Sequence, residues 1–152
     1  RDCLLSRGLG DVYKRQVQGL GDPNYAYSLL KQYKGEWEFD TNWKMIFGHP
    51  KKAGWIKAIQ EAQQTVQKGL KLDCPILVMS SNKSFPETET WHEEYMTSDI
   101  VLDVQDIQKY GEKLGDKVTR DTIPNGIHDL ILSQKPYRND AYQTIFEWLK
   151  KQ

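Results

Sequence analysis

The sequence CPILVM occupies positions 74–79 and runs directly into Ser80 and Ser81. An unbroken apolar run of this kind, ended by polar residues, predicts a strand that is buried on both faces. Such strands are typical of parallel sheets that helices cover on both sides. A second, weaker strand is predicted at 117–123, in the sequence KVTRDTI. The other regular stretches have helical spacing, so these two strands set the fold class.

Helical patterns lie on both sides of the strands. Four helices are predicted. The first begins at Asp22 and Pro23 and ends at Gly35, and the third lies at 104–114. The second lies at 51–68, ends at a left-handed Gly69 and has an apolar stripe of Trp55, Ile59, Ala62 and Val66; the fourth is capped by Asn139 and has an apolar face of Tyr142, Ile145, Phe146 and Leu149. This order implies an α/β fold with parallel strands and right-handed crossover helices. Two strands make an incomplete sheet.

The chain divides into three parts by the character of its sequence. Positions 1–16 (RDCLLSRGLGDVYKRQ) have neither helical nor strand periodicity, and they are expected to be a non-native junction or a disordered tail. Positions 17–70 carry the first two predicted helices and a dense aromatic stretch. Positions 71–152 carry both predicted strands. The total length corresponds to one ordinary domain.

The composition excludes several classes of function. The chain has 152 residues, with 21 Lys and Arg against 21 Asp and Glu, so its formal net charge is zero. Non-specific binding to nucleic acid needs a positive excess, so no nucleic-acid partner is expected. A mean hydropathy of −0.72 predicts that no segment crosses a membrane. Cys3 and Cys74 cannot form a disulfide framework, which predicts a reducing, cytoplasmic location.

Two loops are candidates for a chemical site, because ligands and catalytic groups collect at the carboxyl ends of parallel strands. The loop after the first strand leads to Asp99 and Asp103, and the loop after the second carries His128 and Asp129. An acid followed by a histidine is the order of the two partners of the nucleophile in α/β-hydrolases. There the histidine takes the proton of the nucleophile, and the acid holds the imidazole in the required tautomer.

Three motifs follow one another in the second half of the chain: LDCPILV at 72–78, SDIVLDV at 98–104 and GIHDLILS at 126–133. They resemble the C-terminal half of the α/β-hydrolase superfamily, and in particular its serine aminopeptidase-like or lysophospholipase-like branch. Two further sequences resemble the cap region of that branch: GEWEFD at 35–40, with Trp43 and Lys44 after it, and AGWIKAI at 53–59. The resemblance extends over about 17–152 and keeps the order of the motifs.

The resemblance implies a division of the chain and a function. It implies that 17–70 is a cap or lid-like helical segment and that 71–152 is the C-terminal part of a hydrolase core. It also implies a serine hydrolase that acts on small carboxylic ester or related acyl substrates, with His128 as general base and Asp99 as its acid. These 152 residues contain neither the Gly-x-Ser-x-Gly elbow of the family nor its upstream oxyanion-hole residues. The chain is therefore expected to be a fragment that is inactive by itself.

The acid has an alternative in Asp103. Aligned with the loop of the family, Asp99 takes the position of the acid. Asp103 stands directly before a predicted helix, with Asp106 three residues further on, as a capping residue does. This division of labour favours Asp99 as the partner of His128. Asp129 is expected to point elsewhere and to stabilise its own loop.

Other residues have both a functional and an ordinary interpretation. Three tryptophans are candidates for lining a substrate pocket, or equally for packing the core of the cap: Trp37, Trp43 and Trp55. The three histidines are far apart in the sequence and form no metal motif, so neither a metal nor another cofactor is expected.

A non-catalytic α/β binding or scaffold domain is the alternative function, in which His128 and Asp99 only fasten loops. An activity assay on the chain itself does not separate the two functions, because both predict none. A Gly-x-Ser-x-Gly sequence behind an apolar strand in the upstream reading frame would favour the hydrolase.

Overall fold

The computed structural model describes residues 23–48, 53–86, 88 and 90–152. Its helices and strands are α1 (Asn24–Leu29), α2 (Ala53–Lys68), β1 (Ile76–Ser81), α3 (Val104–Gly111), β2 (Val118–Ile123) and α4 (Lys135–Leu149), with short 3-10 turns at Glu93–Met96, Glu112–Leu114 and Leu130–Leu132. The predicted tail at 1–16 and the predicted helix start at Asp22 lie outside the described residues.

β1 and β2 form a parallel pair, with Ile76 beside Val118 at one end and Ser81 beside Ile123 at the other. The two strands therefore finish at the same level, and the loops that follow them leave from one edge of the sheet. α3 connects the strands and packs against β1. The prediction of a mixed α/β fold with parallel strands is confirmed.

β1 differs from its prediction in extent and in burial. It begins at Ile76 and includes Ser80 and Ser81, which were expected to follow it. Residues 76–79 are half-buried, whereas the two serines are buried. The expectation of full burial on both faces is wrong for the described part of the chain, because the sheet there has two strands, too few to cover the middle of either.

Helices α2 and α4 also differ from their predictions. α2 has no buried residue, and Trp55 and Ile59 of its apolar stripe are exposed. α4 begins at Lys135 after Gln134, so the expectation that Asn139 caps it is wrong. Pro136 explains the earlier start, because proline lacks an N–H and its backbone angle suits the first helical turn.

α1 is followed by a tight reversal of the chain. It ends at Leu29, before the predicted end at Gly35, and Leu30 then forms an isolated parallel bridge with Trp37. A Cβ on Gly35 would lie 2.0 Å from the carbonyl oxygen of Leu29, so this reversal requires glycine. Gly69 has a φ of 99°, which confirms the predicted left-handed end of α2.

The buried interior lies around the carboxyl end of the sheet. Its apolar side chains come from α1 and the residue after it, the turn at Glu93–Met96, the start of α3, the end of β2, the loop after β2 and the middle of α4: Ala26, Leu29, Leu30, Tyr95, Met96, Val104, Ile123, Ile127 and Ala141. None of the helices in the described part of the chain is both long enough and apolar enough to cross a membrane. The best-packed region is therefore also the region where the candidate residues lie.

Candidate functional site

Asp99 reaches the end of β1 through backbone contacts with the chain that leaves that strand. Ser84 and Asp99 form an isolated parallel bridge. The N–H of Asp99 donates to the carbonyl of Lys83 at 3.0 Å, and the N–H of Phe85 donates to the carbonyl of Asp99 at 2.9 Å. The long loop after β1 thus folds back on its own beginning, which places Asp99 at the strand end although the two are far apart in sequence.

The side chain of Asp99 is buried, with 1% of the residue exposed, and both of its oxygens are used. Oδ1 accepts from the N–H groups of Val101 and Leu102, each at 2.8 Å. Oδ2 is 3.0 Å from Nδ1 of His128. Because a buried carboxylate is costly unless it is hydrogen-bonded, this set of partners explains how the group is tolerated there. It also fixes the direction in which Oδ2 points.

His128 stands on a tight loop directly after β2. Asn125 adopts a left-handed backbone with a φ of 58°, and its N–H donates to the side-chain oxygen of Asn82 at 3.1 Å. The N–H of Ile127 donates to Oγ of Ser133 at 3.0 Å, which closes the loop around His128. These contacts join the loop of His128 to the loop after β1 and leave 28% of the imidazole side chain exposed.

The imidazole of His128 is oriented by Asp99. A carboxylate only accepts hydrogen bonds, so the proton on the Asp99 side is carried by Nδ1. The hydrogen bond to Asp99 raises the pKa of His128 above its ordinary value of 6.5, and partial burial opposes this shift. No residue that the structure describes hydrogen-bonds to Nε2. The geometry is that of an imidazole held at one nitrogen and able to exchange a proton at the other.

Asp129 faces a different set of partners. Its Oδ2 accepts hydrogen bonds from the hydroxyl of Tyr25 and from Nζ of Lys44, the latter at 3.3 Å. Burial raises the pKa of Asp129, but the hydrogen bond from Tyr25 and the charge of Lys44 outweigh it, so the pKa lies below its usual range. Burial and the bond to Asp129 raise the pKa of Tyr25. Asp129 thus holds its own loop to the segment at 23–48, as predicted.

The structure separates the two candidate acids by position. Asp103 is the N-cap of α3, and its Oδ1 accepts from the N–H of Gln105 at 2.9 Å. Asp99, and not Asp103, contacts His128. The cap and the contact agree with the division of labour read from the sequence, whereas the catalytic roles of Asp99 and His128 stay predictions.

The three tryptophan candidates lie in different environments. Nε1 of Trp37 donates to the carbonyl of Leu132 at 2.8 Å, and the guanidinium of Arg138 lies 4.8 Å from the centre of the Trp37 ring. Trp43 and Trp55 are 86% and 54% exposed. An open cavity of about 460 Å³ is lined by Leu30, Lys31, Gln32, Trp37, Glu38, Phe39 and Thr41. Of the three tryptophans, Trp37 alone is on the wall of that cavity.

Sequence reasoning missed Tyr25 and Lys44 as neighbours of the candidate site. Tyr25 falls within the first predicted helix, and Lys44 is part of the cap-like sequence. A tyrosine hydroxyl that is taken out of water needs a hydrogen-bond partner, which is the one signal that the residue type offered. That signal does not say where the partner lies, and Asp129 is 104 positions away from Tyr25.

Within the described residues, no group of three His, Cys, Asp or Glu side chains is arranged to hold a metal ion. Comparison of the chain with protein-family models, with curated proteins and with solved structures finds no match. The function is therefore argued from the geometry of Asp99 and His128 and from the sequence motifs around them.

Proposed function

We propose that the chain is the part of a serine hydrolase that supplies the general base, His128, and its orienting acid, Asp99. The observation that carries this proposal is the 3.0 Å contact between a buried, fully hydrogen-bonded carboxylate and a partly exposed imidazole. The two residues follow two parallel strands that finish at the same level, where catalytic groups of open α/β sheets collect. The order acid, then histidine, agrees with that of α/β-hydrolases.

The chemistry of the pair follows from its hydrogen bonds. Nε2 of His128 takes the proton of a serine hydroxyl as that oxygen attacks an acyl carbon, and later returns the proton to the leaving group. The imidazolium formed in between is stabilised by Asp99, whose orientation Val101 and Leu102 hold. The raised pKa of His128 has the same origin, since the hydrogen bond favours the protonated ring.

The substrate class and the division of the chain rest on the resemblance to the serine aminopeptidase-like or lysophospholipase-like branch. It favours a small carboxylic ester or related acyl substrate, a cap at 17–70 and a C-terminal core part at 71–152. The contacts from 23–48 to the loop of His128 support the cap, because a cap has to lie over the catalytic loop. In this proposal the nucleophile and the oxyanion hole lie in sequence outside these 152 residues, and the parent protein is cytoplasmic.

The test uses the chain together with its upstream reading frame. We expect an upstream Gly-x-Ser-x-Gly, labelling of its serine by a fluorophosphonate probe, and hydrolysis of simple acyl esters by the extended protein. His128→Ala should abolish hydrolysis, because it removes the proposed general base. His92→Ala is the matched control; it removes a histidine that contacts Phe85 and Tyr95, and it should leave turnover unchanged.

The 152-residue chain should show no hydrolysis above buffer and no labelling. Loss of a single oxyanion donor typically costs about a hundred- to a thousand-fold in turnover, and this chain also has no elbow serine. An extended protein that keeps most of its activity after His128→Ala would refute the hydrolase site. The hydrogen bond between Asp99 and His128 would then only hold two loops together in a binding or scaffold domain.

A further inference from the structure

A second group of polar residues lies beside His128 and is not used in the proposed reaction. It consists of Tyr25 in α1, Lys44 in the segment at 23–48, and Asp129 in the loop of His128. The hydroxyl of Tyr25 and the ammonium of Lys44 both donate to the same carboxylate oxygen of Asp129. The ammonium also lies 5.3 Å from the centre of the Tyr25 ring, within the range of a cation–π contact.

This group is in contact with the imidazole itself. The ring of Tyr25 stands edge-on to the ring of His128, with 6.1 Å between the ring centres and an angle of 75° between the planes. Asp129 adjoins His128 in the chain. The hydrogen bonds that hold Asp129 therefore also restrain the backbone next to the imidazole, and the ring of Tyr25 restricts the space beside it.

The same loop is held a second time at its far end. Nε1 of Trp37 donates to the carbonyl of Leu132, and Arg138 forms an ion pair with Glu36 at 3.2 Å. The loop of His128 is thus tied to the segment at 23–48 near Asp129 and again near Leu132. The loop is also held by the contacts of Asn125 with Asn82, of Ile127 with Ser133 and of His128 with Asp99.

We propose that Tyr25, Lys44 and Asp129 form a clamp, in which Tyr25 is a positioning residue that keeps His128 on Asp99 and Lys44 offsets the charge of Asp129 beside the imidazole. The clamp is a property of this chain, and its value for catalysis rests on the proposed function. The clamp gives the segment at 23–48 a second role beside that of a cap: it holds the imidazole of His128 in position.

The clamp makes opposite predictions for two of its members. Tyr25→Phe keeps the ring and the charges but removes the hydroxyl that holds Asp129. The loop should loosen and His128 should lose part of its bond to Asp99, so the pKa of His128 should fall towards 6.5. Lys44→Met removes a cation near His128 but leaves the Tyr25 hydroxyl on Asp129. The pKa of His128 should then rise, because Asp99 and Asp129 act on it with less opposition.

The experiment is an NMR titration of His128 in the 152-residue chain and its variants, with the backbone amide spectrum as the check on folding. We expect changes of about twofold or more in the proton-binding constant, in opposite directions for Tyr25→Phe and Lys44→Met. Tyr27→Phe is the matched control, since it removes a hydroxyl from the same helix, and the ring of Tyr27 lies against that of Tyr33, with 4.1 Å between the ring centres. Its titration should equal that of the parent.

The outcomes separate the clamp from the proposed function. If Tyr25→Phe titrates like the parent while Asp99→Asn lowers the pKa of His128, the clamp is wrong and the Asp99–His128 pair stands. If Tyr25→Phe and Lys44→Met both lower the pKa, the variants have only loosened the fold and the clamp is again wrong. If Asp99→Asn leaves the titration unchanged, the pair fails, and the proposed function and the clamp fail with it.

Discussion

Two regions of the molecule differ in how well their side chains are accommodated. The loops at the carboxyl end of the sheet hydrogen-bond a buried carboxylate, whereas the outer faces of α2 and α4 leave apolar side chains exposed. Asp99 is 1% exposed and has partners for both carboxylate oxygens. Trp55 in α2 and Phe146 in α4 are 54% and 58% exposed, although each lies on an apolar stripe. The carboxylate of Asp99 is fully hydrogen-bonded, whereas Oγ of the neighbouring Ser98 is buried without a partner among the described residues. The outer faces of α2 and α4 present apolar surface that nothing in the described part of the chain covers.

The difference shows that hydrogen bonds and hydrophobic burial make different demands on the size of a fold. Hydrogen bonds are directional and short, so two N–H groups of its own loop and the imidazole of the next loop suffice to satisfy the carboxylate of Asp99. Hydrophobic stabilisation grows with the area removed from water, so it needs a wide sheet for helices to cover. A two-stranded sheet offers little such area. The site can therefore be well formed while the outer helices stay exposed.

The largest expected effect is on catalysis in the extended protein. Asp99→Asn should lower turnover by about 10⁴-fold, the loss that the same change causes in a serine protease, because the amide favours the wrong imidazole tautomer. Asp103→Asn is the matched control; asparagine caps helices as well as aspartate does, so turnover should change little. Steady-state kinetics with an acyl ester measures both. Equal losses in the two variants would show that the cap and the contact with His128 are not separate roles.

The next largest effect is on the free energy of unfolding, when the hydrogen bonds of the Asp99 carboxylate are removed. Asp99→Ala removes the acceptor of two N–H groups and leaves His128 without its partner. Because Val101 and Leu102 are half-exposed, water can satisfy part of their N–H groups, so we expect a loss of roughly 1–3 kcal/mol in the free energy of unfolding. Urea unfolding measures it. Asp99→Asn should lose less, because its amide oxygen still accepts from Val101 and Leu102. A loss below about 0.5 kcal/mol for Asp99→Ala would contradict the claim that this region depends on its hydrogen bonds.

A smaller effect concerns pH. The pKa of His128 is raised in the folded chain, so the protonated ring stabilises the fold fully below the unfolded value of about 6.5. That contribution is lost as the pH rises through the raised folded pKa. Asp129 acts in the opposite sense: its contribution is present above its ordinary value and is lost as the pH falls through the lowered one.

The free energy of unfolding, measured between pH 5 and 9, tests the histidine contribution. The decrease with rising pH should disappear in Asp99→Asn, because that variant removes the hydrogen bond that raises the pKa. His92→Ala is the control that should keep the decrease. Persistence of the full decrease in Asp99→Asn would assign it to a different group.

The smallest effect on stability is expected at the outer faces. The exposed apolar residues predict self-association of the 152-residue chain, because such surface is removed from water by a second copy. Trp55→Lys and Phe146→Lys should increase the monomer fraction in sedimentation experiments and change the free energy of unfolding by about 0.5 kcal/mol or less. Thr65→Lys on α2 is the control, since it adds the same charge at a polar, exposed position. A parent chain that is monomeric at all concentrations would contradict the predicted association.

Much of the local structure could be predicted from the sequence. The apolar run at 74–79 predicts β1. Asp103 predicts the start of α3, because a helix N-cap needs a side-chain oxygen at that one position. The left-handed Gly69 was predictable for a different reason: glycine has no Cβ, so it adopts the positive φ that ends a helix without steric cost. The contact of Asp99 with His128 was predicted from two sources: both loops were assigned to the same edge of a parallel sheet, and the resemblance to α/β-hydrolases aligned Asp99 with the acid. Each of these signals lies within a few residues or follows from the direction of two strands.

Burial and long-range contacts were not predictable in this way. The stripe of α2 is helical as the spacing predicts, but spacing says nothing about whether another element covers it. The partners of Asp129 are 85 and 104 positions away, so no local pattern reports them. Asn139 suits a cap, yet α4 begins earlier, where Pro136 fits its first turn. Local preferences act over one turn of chain, whereas exposure and the clamp around His128 depend on which distant segments meet.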